Sequence, residues 1–227
     1  MPLDLLRIQA ICFDIDGTLS DTDDVFVKKL VKLFSPFNRI ISTRHIQKFA
    51  RTLVMRTEGP GNWAYSLADR LGLDGKIVAL GDWFYQLGIG RATQPFQMIK
   101  GVPEMLTSLH QNYPLSIISA RGQRSSLRFL EQFELLPYFT SVVTGQTCQH
   151  TKPCPDPIEW AANQMRVPAQ ACLMVGDTVV DIQCGKKSGA QTVGVLCGFG
   201  EREELVRAGA DCILEYTPQL VELLENR

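Results

Sequence analysis

Asp14-Ile15-Asp16-Gly17-Thr18 closes the apolar run that begins at Ile8 and reaches Phe13. Ile11, Cys12 and Phe13 make a short, nearly continuous apolar segment, the pattern of a strand buried in a parallel sheet. In an extended chain, residues two apart share a side, so Asp14 and Asp16 project together. Gly17 permits a sharp turn or a close backbone approach by a ligand. Two carboxylates side by side at a strand end are costly unless a cation, a shared proton or a reaction needs them. A solvated Asp-Gly turn is the plain alternative, and Asp-x-Asp-Gly also opens calcium-binding loops. An EF-hand needs a preceding helix and a glutamate at loop position twelve, and that position here is Val25.

Working outward, more short apolar runs follow: Leu115 to Ser119, Ser141 to Thr144, Ala171 to Val175, Thr192 to Leu196 and, more weakly, Cys212 to Leu214. Helical patterns lie between them, over Pro103 to Gln111, Gln123 to Phe133, Pro157 to Met165, Val180 to Ser188 and Glu201 to Ala208. Pro103 and Pro157 suit first-turn positions and Gly189 a helix end. Alternating strands and helices predict an α/β fold, a Rossmann-like parallel sheet core flanked by helices. One block breaks the alternation. From Asp21 to about Gln94 the pattern is helical throughout, with faces such as Val25, Phe26, Lys29, Leu30 and Leu33. It reads as an inserted all-helical domain at 21–94, leaving 1–20 and 95–227 to form the core.

Composition narrows the function classes. The 227 residues carry a formal net charge of -1, which offers no global attraction to nucleic acid or to an anionic membrane. No apolar run is long enough to span a bilayer, and the first residues lack a signal-peptide pattern. The expectation is a cytoplasmic protein without nucleic-acid or membrane partners. Its seven cysteines include no C-x-x-C pair, so reduced, mostly structural thiols are expected, Cys148 and Cys154 beside the Lys152 loop included.

In an open parallel sheet, ligands bind outside the carboxyl ends of the strands. The first run delivers Asp14 and Asp16 there. The second ends in Ser119-Ala120-Arg121-Gly122, the third is followed by Thr151-Lys152-Pro153, and the fourth ends in Gly176-Asp177-Thr178-Val179-Val180-Asp181. A strand-terminal serine is commonly a cap and a Lys-Pro loop is commonly solvated. Together with four carboxylates, however, they suit phosphoryl transfer. Mg2+ prefers oxygen ligands, which Asp14 and Asp177 supply. Asp181, one helical turn further on, supports that shell by hydrogen bonding. Lys152 neutralises the crowded carboxylates and binds phosphate as a point charge. The Ser119 hydroxyl and neighbouring backbone N–H groups hold the remaining phosphate oxygens.

This set of four motifs, Asp14-x-Asp16-Gly17-Thr18, Ser119, Lys152-Pro153 and Gly176-Asp177-x-x-x-Asp181, resembles that of the haloacid dehalogenase superfamily. The insert resembles that family's helical cap, and the stretch from Gly176 to Gly200 resembles phosphoglycolate phosphatases. The resemblance implies that Asp14 attacks phosphorus and that Asp16 serves as acid and then base. It also implies that the Asp16 carbonyl completes the metal ligands with Asp14 and Asp177. Ala120 stands where many relatives carry a polar residue, leaving a backbone donor beside the phosphate. The implied activity is a magnesium-dependent phosphatase acting on a small phosphorylated metabolite such as phosphoglycolate, as a monomer or homodimer. A phosphomutase of the same superfamily and a non-catalytic binding module are the rival readings. A dehalogenase has no use for the acid at Asp16.

Weaker signals point elsewhere. Gly88-Ile89-Gly90 lies outside any strand-to-helix turn. His45 and His110 read as helix residues, and His150 as a solvated or capping one. Trp63, Tyr65, Trp83, Phe84 and Tyr85 read mostly as cap core, and Arg44, Arg51 and Arg56 as solvated helix positions.

Overall fold

The structure is a computed structural model that describes residues 3–21 and 96–225. Six parallel strands stand in the order β3-β2-β1-β4-β5-β6. They are β1 (Ala10–Phe13), β2 (Leu115–Ile118), β3 (Phe139–Val143), β4 (Cys172–Gly176), β5 (Gln191–Val195) and β6 (Cys212–Leu214). The described helices are α1 (Val102–His110), α2 (Gln123–Gln132), α3 (Asp156–Met165), α4 (Val179–Ser188), α5 (Arg202–Ala208) and α6 (Leu220–Glu225). The α/β, Rossmann-like expectation therefore holds for the core. The helical reading of 22–94, with its aromatic and arginine candidates, lies outside the described residues.

Alternation along each strand feeds two cores. On β1, Ile11 and Phe13 join Leu173 and Val175 of β4 in a cluster completed by α1, α2 and α6. Ala10 and Cys12 turn the other way, with Cys172 and Met174, toward Ile158 and Ala161 of α3 and Cys184 of α4. Both faces of the central strands are thus covered, and β1 and β4 are buried along their whole length. Each large apolar side chain taken fully out of water contributes about 1.5–3 kcal/mol.

Element edges moved by a residue or two. β3 begins at Phe139 rather than Ser141, and α6 follows a 3-10 turn in a stretch where no element was expected. Pro103 and Pro157 do sit in first turns, and α4 stops at Gly189. Among the described residues, no helix is long and apolar enough to cross a membrane.

This strand order reverses direction between β1 and β4, the two strands that carry the first and last motifs. Phe13 lies opposite both Ile117 of β2 and Val175 of β4. The residues that follow, Asp14, Ser119 and Asp177, therefore leave the sheet at the same carboxyl edge. A crevice at such a reversal is where open α/β sheets bind ligands.

Candidate active site

Asp14 leaves β1 with its amide donating to the Val175 carbonyl at 3.0 Å, so the sheet still fixes its backbone. The chain then turns at once. The amides of Leu19 and Ser20 both donate to the Ile15 carbonyl, at 2.9 and 2.8 Å, and the Gly17 amide donates to the Ser20 carbonyl at 2.9 Å. Gly17 takes φ +70°, and a Cβ there would stand 2.3 Å from Asp177 Oδ2. Only glycine allows both the left-handed turn and the close passage over Asp177.

Lys152 reaches this edge from the segment between β3 and α3. Its Nζ donates to Asp14 Oδ1 at 2.7 Å and to Asp181 Oδ1 at 2.6 Å, and all three side chains are buried. Burial works against the Lys152 ammonium, yet Asp14 and Asp181 outweigh it and hold its pKa above the ordinary value. Burial likewise pushes the Asp14 carboxyl above the ordinary carboxylate range. Lys152 opposes that shift, while Asp181 and Asp16 add to it. The pair is an ammonium that stays charged beside a carboxylate whose ionised form depends on nearby cations.

Asp181 lies in the first turn of α4, where its other oxygen accepts from the Thr178 amide at 3.0 Å and the Thr178 hydroxyl at 2.6 Å. A carboxylate there satisfies helix donors and complements the helix dipole. Both Asp181 oxygens are thus engaged. Asp177 Oδ2 accepts from the Phe199 amide at 2.7 Å, in the loop after β5. That loop comes so close that a Cβ on Gly198 would stand 2.1 Å from Asp177 Oδ2.

Asp14, Asp177 and Asp181 form a buried cluster whose ligand atoms lie within 4.8 Å of one another. These are hard oxygen donors, the set that suits Mg2+. Among the described residues, four carboxylates stand here with Asp16 included, and the cations paired with them are Lys152 and Arg121. A divalent cation suits that donor set. The Asp16 carboxylate is not in the cluster: it is half-buried and pairs with Arg121, whose Nε donates to Oδ2 and Nη2 to Oδ1.

Ser119, the first residue after β2, is buried, and its hydroxyl accepts from the Arg121 amide at 3.2 Å. Ala120 beside it is half-buried. Two participants had escaped the sequence reading. Arg121 appeared there only as part of a loop, and a lone arginine after a strand carries no pattern of its own. The Phe199 contact comes from the backbone and has no side-chain signature at all.

The remaining candidates take quiet roles. His150 pairs with Asp156 at the start of α3, Nδ1 to Oδ1 at 2.8 Å, and that pairing holds the Asp156 carboxyl below its ordinary range. All seven cysteines are free thiols. The Cys184 thiol donates to the Cys154 carbonyl at 2.9 Å, and burial pushes its pKa up to about 12, far from nucleophilic use.

The chain is similar to known hydrolases. The family model described as haloacid dehalogenase-like hydrolase matches residues 11–195. A pyrophosphatase, PpaX, of Halalkalibacterium halodurans is 26% identical over 223 residues, covering 96% of this chain and 98% of that protein. A phosphoglycolate phosphatase of Photobacterium profundum is 26% identical over 232 residues, covering 96% of each chain. The solved structure of a hydrolase from Pseudomonas syringae superposes with a TM-score of 0.69 at 24% identity, covering 96% of this chain and 98% of that one.

Proposed function

The chain belongs to the haloacid dehalogenase-like hydrolases, and from that premise we propose that it hydrolyses a small phosphate monoester through a covalent intermediate on Asp14. One observation carries the reading: Asp14, directly after β1, is buried against the Lys152 ammonium at 2.7 Å, in a cluster with Asp177 and Asp181. A carboxylate so placed is a nucleophile beside a fixed positive charge.

The steps follow from these residues. An Asp14 oxygen attacks phosphorus, and the bond from phosphorus to the leaving oxygen breaks as Asp16, protonated for this step, gives that oxygen its proton. Asp16, now a carboxylate, takes a proton from water as the water attacks the phosphoaspartate. The bond from Asp14 to phosphorus breaks, phosphate leaves, and both side chains return to their starting forms. Lys152 offsets charge on the transferred group. Ser119 and the Ala120 backbone hold its oxygens. Asp181 acts on Lys152 and on the first turn of α4 rather than on substrate.

Asp14, Asp177 and the Asp16 backbone carbonyl are the residues proposed to hold Mg2+. When bound, the ion supplies Lewis-acid neutralisation of the phosphoryl oxygens. Phosphoglycolate is the first candidate substrate, supported by the Photobacterium relative, and pyrophosphate is the second, supported by PpaX. The test is a panel of phosphorylated metabolites with an aryl phosphate, assayed with and without Mg2+. Magnesium-dependent release of inorganic phosphate is expected. Isomerised sugar phosphate without phosphate release would favour a mutase, and no turnover of any ester would end the enzymatic reading.

A further inference from the structure

The turn that carries Asp16 is held from outside itself. Its Ile15 carbonyl accepts from the Thr18, Leu19 and Ser20 amides at 3.3, 2.9 and 2.8 Å. The next two carbonyls after Asp16 are bound instead by side chains from distant elements. The Thr217 hydroxyl donates to the Thr18 carbonyl at 2.7 Å, and the Cys197 thiol donates to the Gly17 carbonyl at 3.4 Å. The Cys197 sulfur also stands 3.3 Å from the Thr217 oxygen. The single Thr217 hydrogen goes to Thr18, so its oxygen is the acceptor in that contact and the thiol the donor. Among the described residues, no backbone amide reaches either carbonyl. Thr217 is itself firmly placed. It is fully buried and opens the 3-10 turn Thr217–Gln219 between β6 and α6. Gln219 Oε1 accepts from the Glu215 and Tyr216 amides, both at 3.0 Å. Pro218 lies against the start of α1, where a Cβ on Gly101 would stand 3.1 Å from its Cγ.

From this geometry we infer that Thr217 is a positioning residue, whose hydroxyl, together with the Cys197 thiol, fixes the turn that aims Asp16 at the leaving oxygen. The inference rests on the phosphatase reading, in which Asp16 protonates that oxygen. A peptide unit is planar, so the Thr18 carbonyl and the Leu19 amide turn together, as do the Gly17 carbonyl and the Thr18 amide. A buried carbonyl that loses its donor is costly and turns toward another. Turning the Thr18 carbonyl would pull the Leu19 amide off the Ile15 carbonyl and loosen the loop around Asp16. Gly17 has no slack to absorb that movement, because it passes directly over Asp177. A proton donor displaced by a fraction of an ångström loses much of its effect, since proton transfer needs hydrogen-bond reach.

The test uses the full chain with saturating Mg2+ and two aryl phosphates. Phenyl phosphate has a leaving oxygen that needs a proton, and 4-nitrophenyl phosphate has one that departs readily without it. Thr217→Val removes the hydroxyl and keeps the shape. It should lose about tenfold in kcat/KM on phenyl phosphate, a part of what a general acid contributes. On 4-nitrophenyl phosphate the loss should stay within about threefold. Thr217→Ser keeps the donor and should remain within about twofold of the parent on both esters. Cys197→Ala removes the second donor and serves as the reporter if the valine variant does not fold, with the same bias expected at about threefold. An unchanged ratio between the esters in the folded variant would overturn the inference, whether both rates are kept with a lower Tm or both are lost equally. A serine variant as biased as the valine one would overturn it too. Wild type that hydrolyses 4-nitrophenyl phosphate alone would overturn it and leave the phosphatase reading standing. Failure on both esters would bring down both.

Discussion

Lys152 sets the character of the site at the scale of single residues. One ammonium spans Asp14 and Asp181, and its burial removes the water that would otherwise screen the three charges. Replacing it with methionine leaves two buried carboxylates facing each other. We expect Lys152→Met to lower kcat by about 10²–10³-fold, as loss of a preorganised charge does. Stability should fall by about 3 kcal/mol at neutral pH, the scale for breaking a buried ion pair from one side. Urea unfolding of the metal-free protein measures the second effect, and unchanged stability would mean the pair is solvated. Asp14, Asp16, Lys152, Asp177 and Asp181 were all legible because they fall in a spaced pattern on the stretches that lead out of strands. Arg121 was not, since its meaning comes from Asp16, a residue 105 positions away.

Among elements, the loop after β5 and the start of β6 make the sharpest predictions. Gly198 lies against Asp177, and alanine there would drive a Cβ into its carboxylate. Gly198→Ala should keep the strand and helix content yet weaken Mg2+ binding by about tenfold or more, read as a smaller rise in Tm per added metal. An unaltered metal titration would show that Asp177 is not a ligand. Asp211, just before β6, accepts from the Thr192 amide at 2.9 Å and from Lys186 at 2.5 Å. Burial alone would raise its pKa, but those bonds outweigh burial and hold the carboxyl below the ordinary range. Its stabilisation is therefore present above the unfolded value near 4 and is lost as pH falls through the folded value. Asp211→Asn should cost about 1–2 kcal/mol at pH 7. The difference in Tm from the parent should close as pH falls below the ordinary carboxylate range, and a constant gap would contradict the assignment. Element types were readable from apolar runs, but their edges were less so. β3 is a half-exposed edge strand, so Phe139 and Thr140 carry no continuous apolar signal. The six-residue α6 is too short to show a period.

Over the whole molecule, the sheet gathers at one edge groups that repel one another. Asp14, Asp16, Asp177 and Asp181 arrive from β1 and from the passage between β4 and α4, and the fold must hold them together. A divalent cation would relieve that strain, so chelation should abolish turnover, and Mg2+ should raise Tm in proportion to its saturation. Full activity in excess chelator would contradict a metal role. The core architecture followed from alternation alone. The carboxyl edge of the sheet as the ligand site followed from it too, whereas its place at the reversal between β1 and β4 needed the strand order. The pairing within the crevice did not, since it depends on side-chain reach across four separate loops.

The most direct measurement is a search for the covalent intermediate. Asp16→Asn keeps the backbone carbonyl while losing the proton carrier, and should slow turnover by about 10²–10⁴-fold. Rapid quenching of this variant with an aryl phosphate labelled in the phosphoryl group, followed by peptide mass analysis, should place the label on Asp14. The same experiment with Asp14→Asn should show neither label nor turnover. Label absent from Asp14 while phosphate is still released, or turnover surviving in Asp14→Asn, would contradict nucleophilic catalysis by this residue.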